Sequence, residues 1–293
     1  MGYLFLAVSL FAGATKGFCG KTISNDVKTL RGTSYINLLR MTLCIVIGFF
    51  VVAAENIRGL NVDMTSLLIA LLSGLSTALF VLSWIFSVRN GAYVMLDVFL
   101  MLGVGVTLAL CKIFFNDSIA LKQYIGLAML LVAACILCSY SSTIKSRFTV
   151  KSFALLIGCG IANGLTDFSQ KAYVHLTPDG SVGVFNFYTY IFAALTLLLF
   201  FLVSGKIENA PNDGKTKKAM LAVAIMSVCL FANSYFKTLA AKFIAPAILY
   251  PLSTGAALIL SVLMSVLFFK EKATPKCIIG VVLAFAALII MNC

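Results

Sequence analysis

Apolar residues in this chain come in runs of about twenty, broken by short clusters of charge, Gly, Pro and Asn, and a run of that length is what a helix needs to cross a bilayer. Ten such runs are present, near 3–22, 33–54, 65–88, 92–111, 121–140, 152–174, 183–204, 217–240, 244–269 and 275–292. The gaps between them are tight. The longest, 205–216, reads GKIENAPNDGKT and has the composition of a solvated loop, so no room is left for a water-facing domain. The pattern predicts an all-α integral membrane protein of ten transmembrane helices.

Composition agrees. Of 293 residues 61% are hydrophobic and only 11% charged, with mean hydropathy +1.06, whereas a soluble domain carries about 25% charged residues. A soluble enzyme is excluded on that ground. The first ten residues lack a positively charged leader region and are expected to begin a span rather than a signal peptide. Most of the nine cysteines fall inside apolar runs and are expected to be small buried hydrophobes. Cys135 and Cys138 are separated by two residues but sit mid-run without companion ligands, so no metal site is expected.

Net charge is +12, which in a soluble protein would raise the question of nucleic acid. Here the basic residues lie in the short gaps between runs, where they act as topology signals and lipid-surface anchors; no nucleic-acid partner is expected. On the side shared by both termini lie six of them, Lys237 included, against fourteen on the other. The positive-inside rule then puts both termini outside the cytoplasm of a plasma or inner membrane.

The chain also aligns with itself at an offset of about 150 residues. Phe114, Phe115, Asn116 and Asp117, with Lys122, Ile125 and Gly126, match Phe268, Phe269, Lys270 and Glu271, with Lys276, Ile279 and Gly280. Ser76, Phe80, Ser83 and Ser87 match Ser227, Phe231, Ser234 and Thr238; Trp84 matches Tyr235; Phe18 and Lys21 match Phe168 and Lys171. Ten runs give five per repeat, 1–140 and 152–293 joined by 141–151, and an odd number inserts the second copy upside down. Two inverted five-helix repeats support two conformations, each open to one side of the membrane.

The stretches at 267–280, LFFKEKATPKCIIG, and more weakly at 113–126, IFFNDSIALKQYIG, resemble the EamA-like family of the drug/metabolite transporter superfamily, in which each five-helix half ends in an aromatic-acidic turn leading into a Gly-bearing helix. In the first half Asn116 and Asp117 replace the usual Gly-Glu kind of turn. The resemblance implies transport of small polar solutes by a single chain, a monomer, since both inverted halves are already present. It also implies export as the direction.

Ionisable groups at membrane depth are costly and normally face a cavity or a partner. Lys16, Arg40, Asp97, Asp167 and Lys237 are such groups. On the sixth run Asn163, Asp167 and Gln170 recur at i, i+4 and i+7 on one helical face, and the repeat-related positions on the first run are Gly13, Gly17 and Gly20. Glycine lets a helix or a ligand approach closely where the other half offers amide and carboxylate, so Asn163, Asp167, Gln170, Gly13, Gly17 and neighbouring Lys16 are candidate substrate contacts. The competing reading is helix packing, with Asp167 paired to Lys171 one turn on. Asp97 has Ile248 as its repeat partner; it is a candidate proton-coupling residue alongside Asp167, or a counter-ion to Arg40 or Lys16. Arg40 is read as a structural charge.

Trp84, the only tryptophan, and Tyr235 either line the cavity or belong to the interfacial aromatic belt. Asn37 and Asn186, a repeat-matched pair, suggest a shared structural hydrogen bond. Pro246 and Pro251 are a candidate hinge in the ninth run. No nucleophile-base set, HExxH or phosphate-binding loop occurs, so no catalytic residues and no cofactor are expected, and energy must come from a gradient or exchange. The expectation is a secondary active transporter of a small polar metabolite, an amino acid, amine or similar, driven by proton coupling or exchange through a cavity between spans one, three, four, six, eight and nine. The rivals are an organic-cation or multidrug exporter and a non-transporting membrane receptor or scaffold.

Overall fold

The computed structural model of the chain describes residues 1–23, 29–55, 62–89, 93–140, 150–204, 217–268 and 275–292. These form ten α-helices: α1 (Gly2–Ile23), α2 (Leu30–Ala54), α3 (Met64–Arg89), α4 (Tyr93–Phe115), α5 (Leu121–Tyr140), α6 (Val150–Leu176), α7 (Val182–Ser204), α8 (Lys217–Ala240), α9 (Pro246–Phe268) and α10 (Pro275–Asn292). The bounds follow the ten apolar runs closely, because hydropathy and helix length answer to the same bilayer thickness. The sixth helix begins at Val150, inside the expected 141–151 connection; the rest of that connection and Phe269, Lys270 and Glu271 of the second aromatic-acidic turn lie outside the described residues.

Six helices are long and apolar enough along their described lengths to cross a membrane: α1, α2, α3, α7, α8 and α9. Helices α4, α5 and α10 contribute shorter apolar stretches, 99–115, 121–133 and 278–291. The sixth carries the polar stripe and meets a membrane only if that stripe faces inward. It does, since Asp167, Ser169 and Gln170 are all buried. The chain is an integral, multi-pass membrane protein.

Local chemistry sets the helix ends. Thr29 caps α2 by accepting from the Gly32 N–H at 3.0 Å, and Asp63 caps α3 by accepting from the Ser66 N–H at 3.2 Å; each satisfies an orphan donor of the first turn. After α4 the chain reverses at Asn116, whose φ of 53° is left-handed, a conformation Asn tolerates better than most residues. Gln123 then accepts from the Ala120 N–H at 2.9 Å to start α5.

Lipid is as apolar as leucine, so helices in a membrane associate through close packing and internal polar bonds rather than hydrophobic burial. The tightest seam is between α4 and α6. A Cβ on Gly160 would lie 2.2 Å from the Phe99 carbonyl oxygen, one on Gly164 2.4 Å from that of Gly103, and one on Gly103 2.3 Å from that of Gly160. Thr107 closes the seam by donating to the Gly164 carbonyl at 2.9 Å and the Gly103 carbonyl at 3.1 Å. Elsewhere α1 packs along α8, α3 along α6, α2 along α7 and α5 along α10. Pro246 opens α9 at the first helical position and Pro251 follows within the helix, which continues without interruption to Phe268. The helix is continuous through the candidate hinge, because a proline this close to the N-terminal end removes only one ladder donor.

Candidate functional site

Polar side chains of α1, α2, α6, α7 and α8 meet inside the bundle in tiers that run from the face bearing the N-terminus toward mid-depth. At the rim, Glu55 just after α2 accepts from the Tyr235 hydroxyl at 2.9 Å and from the Ser181 hydroxyl ahead of α7. Ser181 in turn accepts from the Val184 N–H at 3.1 Å, so one carboxylate ties α2, α7 and α8 together. One tier deeper, Gln170 donates to the Ser234 hydroxyl at 3.3 Å, and Ser234 donates to the Asn186 side-chain oxygen at 2.6 Å.

Below that lies the strongest contact. The Lys237 ammonium donates to Asp167 Oδ1 at 2.6 Å, with side-chain exposures of 11% and 3%. The same ammonium sits 5.5 Å from the Tyr250 ring centre, and the Tyr250 hydroxyl donates to the Asp167 main-chain carbonyl at 2.8 Å. Asp167 is therefore not paired with Lys171, as its own-helix spacing suggested. It faces the bundle interior, where a lysine from α8 reaches it across 70 residues of sequence. Lys237 for its part is no surface anchor, because its ammonium reaches inward to Asp167.

At mid-depth two more cations complete the group. Lys16 and Arg40 each lie fourteen residues from the end of their helix at the terminus-bearing face, about 21 Å along the axis at 1.5 Å per residue. The Lys16 ammonium stands 5.9 Å from the Phe80 ring centre, within electrostatic range of Arg40, Lys237 and Asp167. Arg40 is 2% exposed and donates through Nη1 to Asn37 Oδ1 at 2.6 Å. Three buried polar atoms of this group have no hydrogen-bond partner: Arg40 Nε, Asp167 Oδ2 and Gln170 Oε1. Such atoms are rare in folded proteins, and a polar solute or a water is what satisfies them.

The candidate residues divide as follows. Asp167, Gln170 and Lys16 belong to the central group, as does Arg40, a helix apart but in electrostatic reach. Asn163 is half-buried on the same face of α6. Gly13 lies where α1 packs along α8, and a Cβ on it would stand 3.0 Å from the Asn233 amide nitrogen; Gly17, one turn on, is buried. Asn233 is held there by donating to the Ser9 carbonyl at 2.8 Å while Ser9 donates to the Asn233 carbonyl at 2.9 Å. Gly13 thus serves helix approach. Trp84 packs over Gly20, whose Cβ would fall 2.3 Å from the indole, and it is grouped with Phe99, Leu156 and Cys159. Tyr235 stacks on Phe231, centroids 5.9 Å apart at 16°, with its hydroxyl in the rim. Asp97 lies on α4, but its side chain is outside the described residues.

Asn37 and Asn186 behave alike. Each donates to the carbonyl four residues earlier, Asn37 to Thr33 at 3.0 Å and Asn186 to Val182 at 2.9 Å, and each spends its side-chain oxygen on a neighbour, Arg40 or Ser234. The sequence alone did not mark out Glu55 and Asn233, showed Ser234 only as a repeat match, and did not show Lys237 as the partner of Asp167; of these four, Glu55 lies after α2 and the others on α8. The last three form a polar cluster at i, i+1 and i+4 of α8, a signal present in the sequence.

Comparison with known proteins places this arrangement. The chain is similar in fold to a protein of known crystal structure, with a TM-score of 0.77 at 14% identity over 99% of this chain and 95% of the other. It is one of 28 matching solved chains. A search of curated proteins gives no match. The model of the EamA-like transporter family matches residues 150–293, the half that supplies Asp167, Gln170, Asn186, Ser234, Lys237 and Tyr250. The second half of the chain, residues 150–293, is thus similar to the EamA-like transporter family.

Proposed function

We propose that the protein is a secondary transporter that carries a small polar metabolite by alternating access, with the group around Asp167, Lys237 and Lys16 as its solute site. One observation carries the reading: a buried ion pair, a buried arginine and a half-buried lysine stand together inside a helical membrane bundle, a placement that a merely structural membrane protein has every reason to avoid. Export as the direction, and proton coupling or exchange as the energy source, are carried over by family analogy.

Alternating access needs two halves of opposite orientation, and several features favour reading 1–140 and 152–293 as inverted repeats. The pairing of α1 with α8 recurs as that of α6 with α3. Ser9 and its repeat mate Cys159 each donate across these seams to a main-chain carbonyl, of Asn233 at 2.9 Å and of Phe80 at 3.9 Å. The matched bonds of Asn37 and Asn186 add a third correspondence.

The test is flux. Purified protein reconstituted into proteoliposomes, preloaded with a mixture of small polar solutes and challenged with each in labelled form, is expected to show saturable exchange of at least one class. Vesicles that behave like protein-free controls for every solute would overturn the reading and favour a scaffold.

A further inference from the structure

Resting on that transport reading, we infer that the solute is a small organic anion bearing a hydroxyl group, held by Lys16 and Arg40, rather than an amine or an uncharged compound. The charge balance carries the argument. Among the described residues the central group holds three cations, Lys16, Arg40 and Lys237, and one carboxylate, Asp167. That carboxylate is already committed to Lys237 at 2.6 Å. Lys16 then has no carboxylate or hydrogen-bond acceptor of its own, only the face of Phe80 at 5.9 Å. Arg40 has one neutral acceptor, Asn37, and its Nε is buried with no partner.

A cation removed from water is tolerated when something negative or strongly dipolar faces it. Here Arg40 is buried and Lys16 half-buried, and Lys16 is repelled by both Arg40 and Lys237. An anion entering between Lys16 and Arg40 would supply the missing charge, and guanidinium with ammonium is the donor set that carboxylate and phosphate oxygens favour. A second cation brought into the same place would meet three like charges. The unpartnered acceptors sharpen the assignment. Asp167 Oδ2 and Gln170 Oε1 lie one turn apart on α6, both buried and both without a donor, and a hydroxyl on the solute is a donor they lack.

Thermal melting of the full-length protein in lipid nanodiscs tests this with five solutes of similar size: malate, glycerol 3-phosphate, glycerol, serine and serinol. A ligand that binds only the folded state raises the melting temperature. Malate or glycerol 3-phosphate is expected to do so and the other three are not; which of the two acts separates the carboxylate from the phosphate. Lys16→Gln is expected to weaken the effective anion at least about tenfold, as loss of one charge-assisted contact does. The same variant is expected to melt higher than wild type without solute, because it removes a repelled cation, a result that a purely structural lysine would not give. Stabilisation by serine or serinol equal to that by the anions overturns the anion assignment and leaves transport standing. Anion stabilisation unchanged in Lys16→Gln overturns the site. No stabilisation by any of the five, together with no flux of any solute in the proteoliposome assay, removes the transport reading itself.

Discussion

Replacing Asp167 by Leu, or Lys237 by Met, is expected to destabilise the protein by about 3–5 kcal/mol, while the double replacement restores most of that loss and still abolishes flux. The asymmetry follows from where the cost lies. Two charges brought together out of water roughly cancel the expense of drying them, so a well-packed apolar pair in their place is close to neutral; one charge left alone keeps its whole desolvation cost. Asp167 and Lys237 are 3% and 11% exposed at the side chain and 2.6 Å apart, so neither can turn to water when its partner goes. Tyr250 holds the main chain rather than the carboxylate of residue 167 and gives no replacement charge. Thermal melts of the two single variants and the double in nanodiscs, compared as a double-mutant cycle, measure the coupling, and flux assays on the same preparations measure function. Single variants that melt with wild type would sink the claim that the pair is buried and mutually dependent. A double variant that still transports would remove the pair from the solute site.

The second large effect concerns the seam of α4 and α6. Gly160→Ala, Gly164→Ala and Gly103→Ala are each expected to cost at least the upper end of the 1–3 kcal/mol typical of overpacking. The added methyl would meet main-chain oxygens at 2.2, 2.4 and 2.3 Å, and a main-chain oxygen cannot swing aside as a side chain can. The helices must separate, and the bonds of Thr107 across the seam go with them. Gly158 and Gly105 lie on the same two helices with nothing within 4 Å of the added atom. Alanine there is expected to be neutral or to stabilise by up to about 1 kcal/mol through helix propensity. Melting the five variants side by side checks the contrast, and Gly160→Ala melting with Gly158→Ala would refute it.

How far these features could be read from the sequence depends on how local their causes are. The ten helices were legible because each is written in one unbroken run, and the inward stripe of α6 because Asn163, Asp167 and Gln170 share a face at helical spacing. The partner of Asp167 was not legible. Own-helix spacing offers Lys171, and only the packing of α6 near α8 brings Lys237 to it. Lys237 lies near the end of an apolar helix, where a lysine usually reaches outward to the surface; the waiting carboxylate reverses that preference. The seam was half legible. Gly160 and Gly164 stand four apart, the small-residue spacing that lets helices touch, but attention to the glycines of α1 passed over it, and its complement Gly103 is set by tertiary contact alone. Glu55 looked like an ordinary charge at the end of a span until Tyr235 and Ser181 were seen to converge on it.

The packing of Trp84 over Gly20 makes the protein its own optical probe. The chain has a single tryptophan, so its indole emission comes from one place, the contact of α3 with α1, one turn along from Lys16. A wavelength shift on solute addition reads the opening or tightening of that contact directly, without an attached dye. Because the indole covers a residue that has no side chain, even a small withdrawal of α1 exposes the ring and changes its colour.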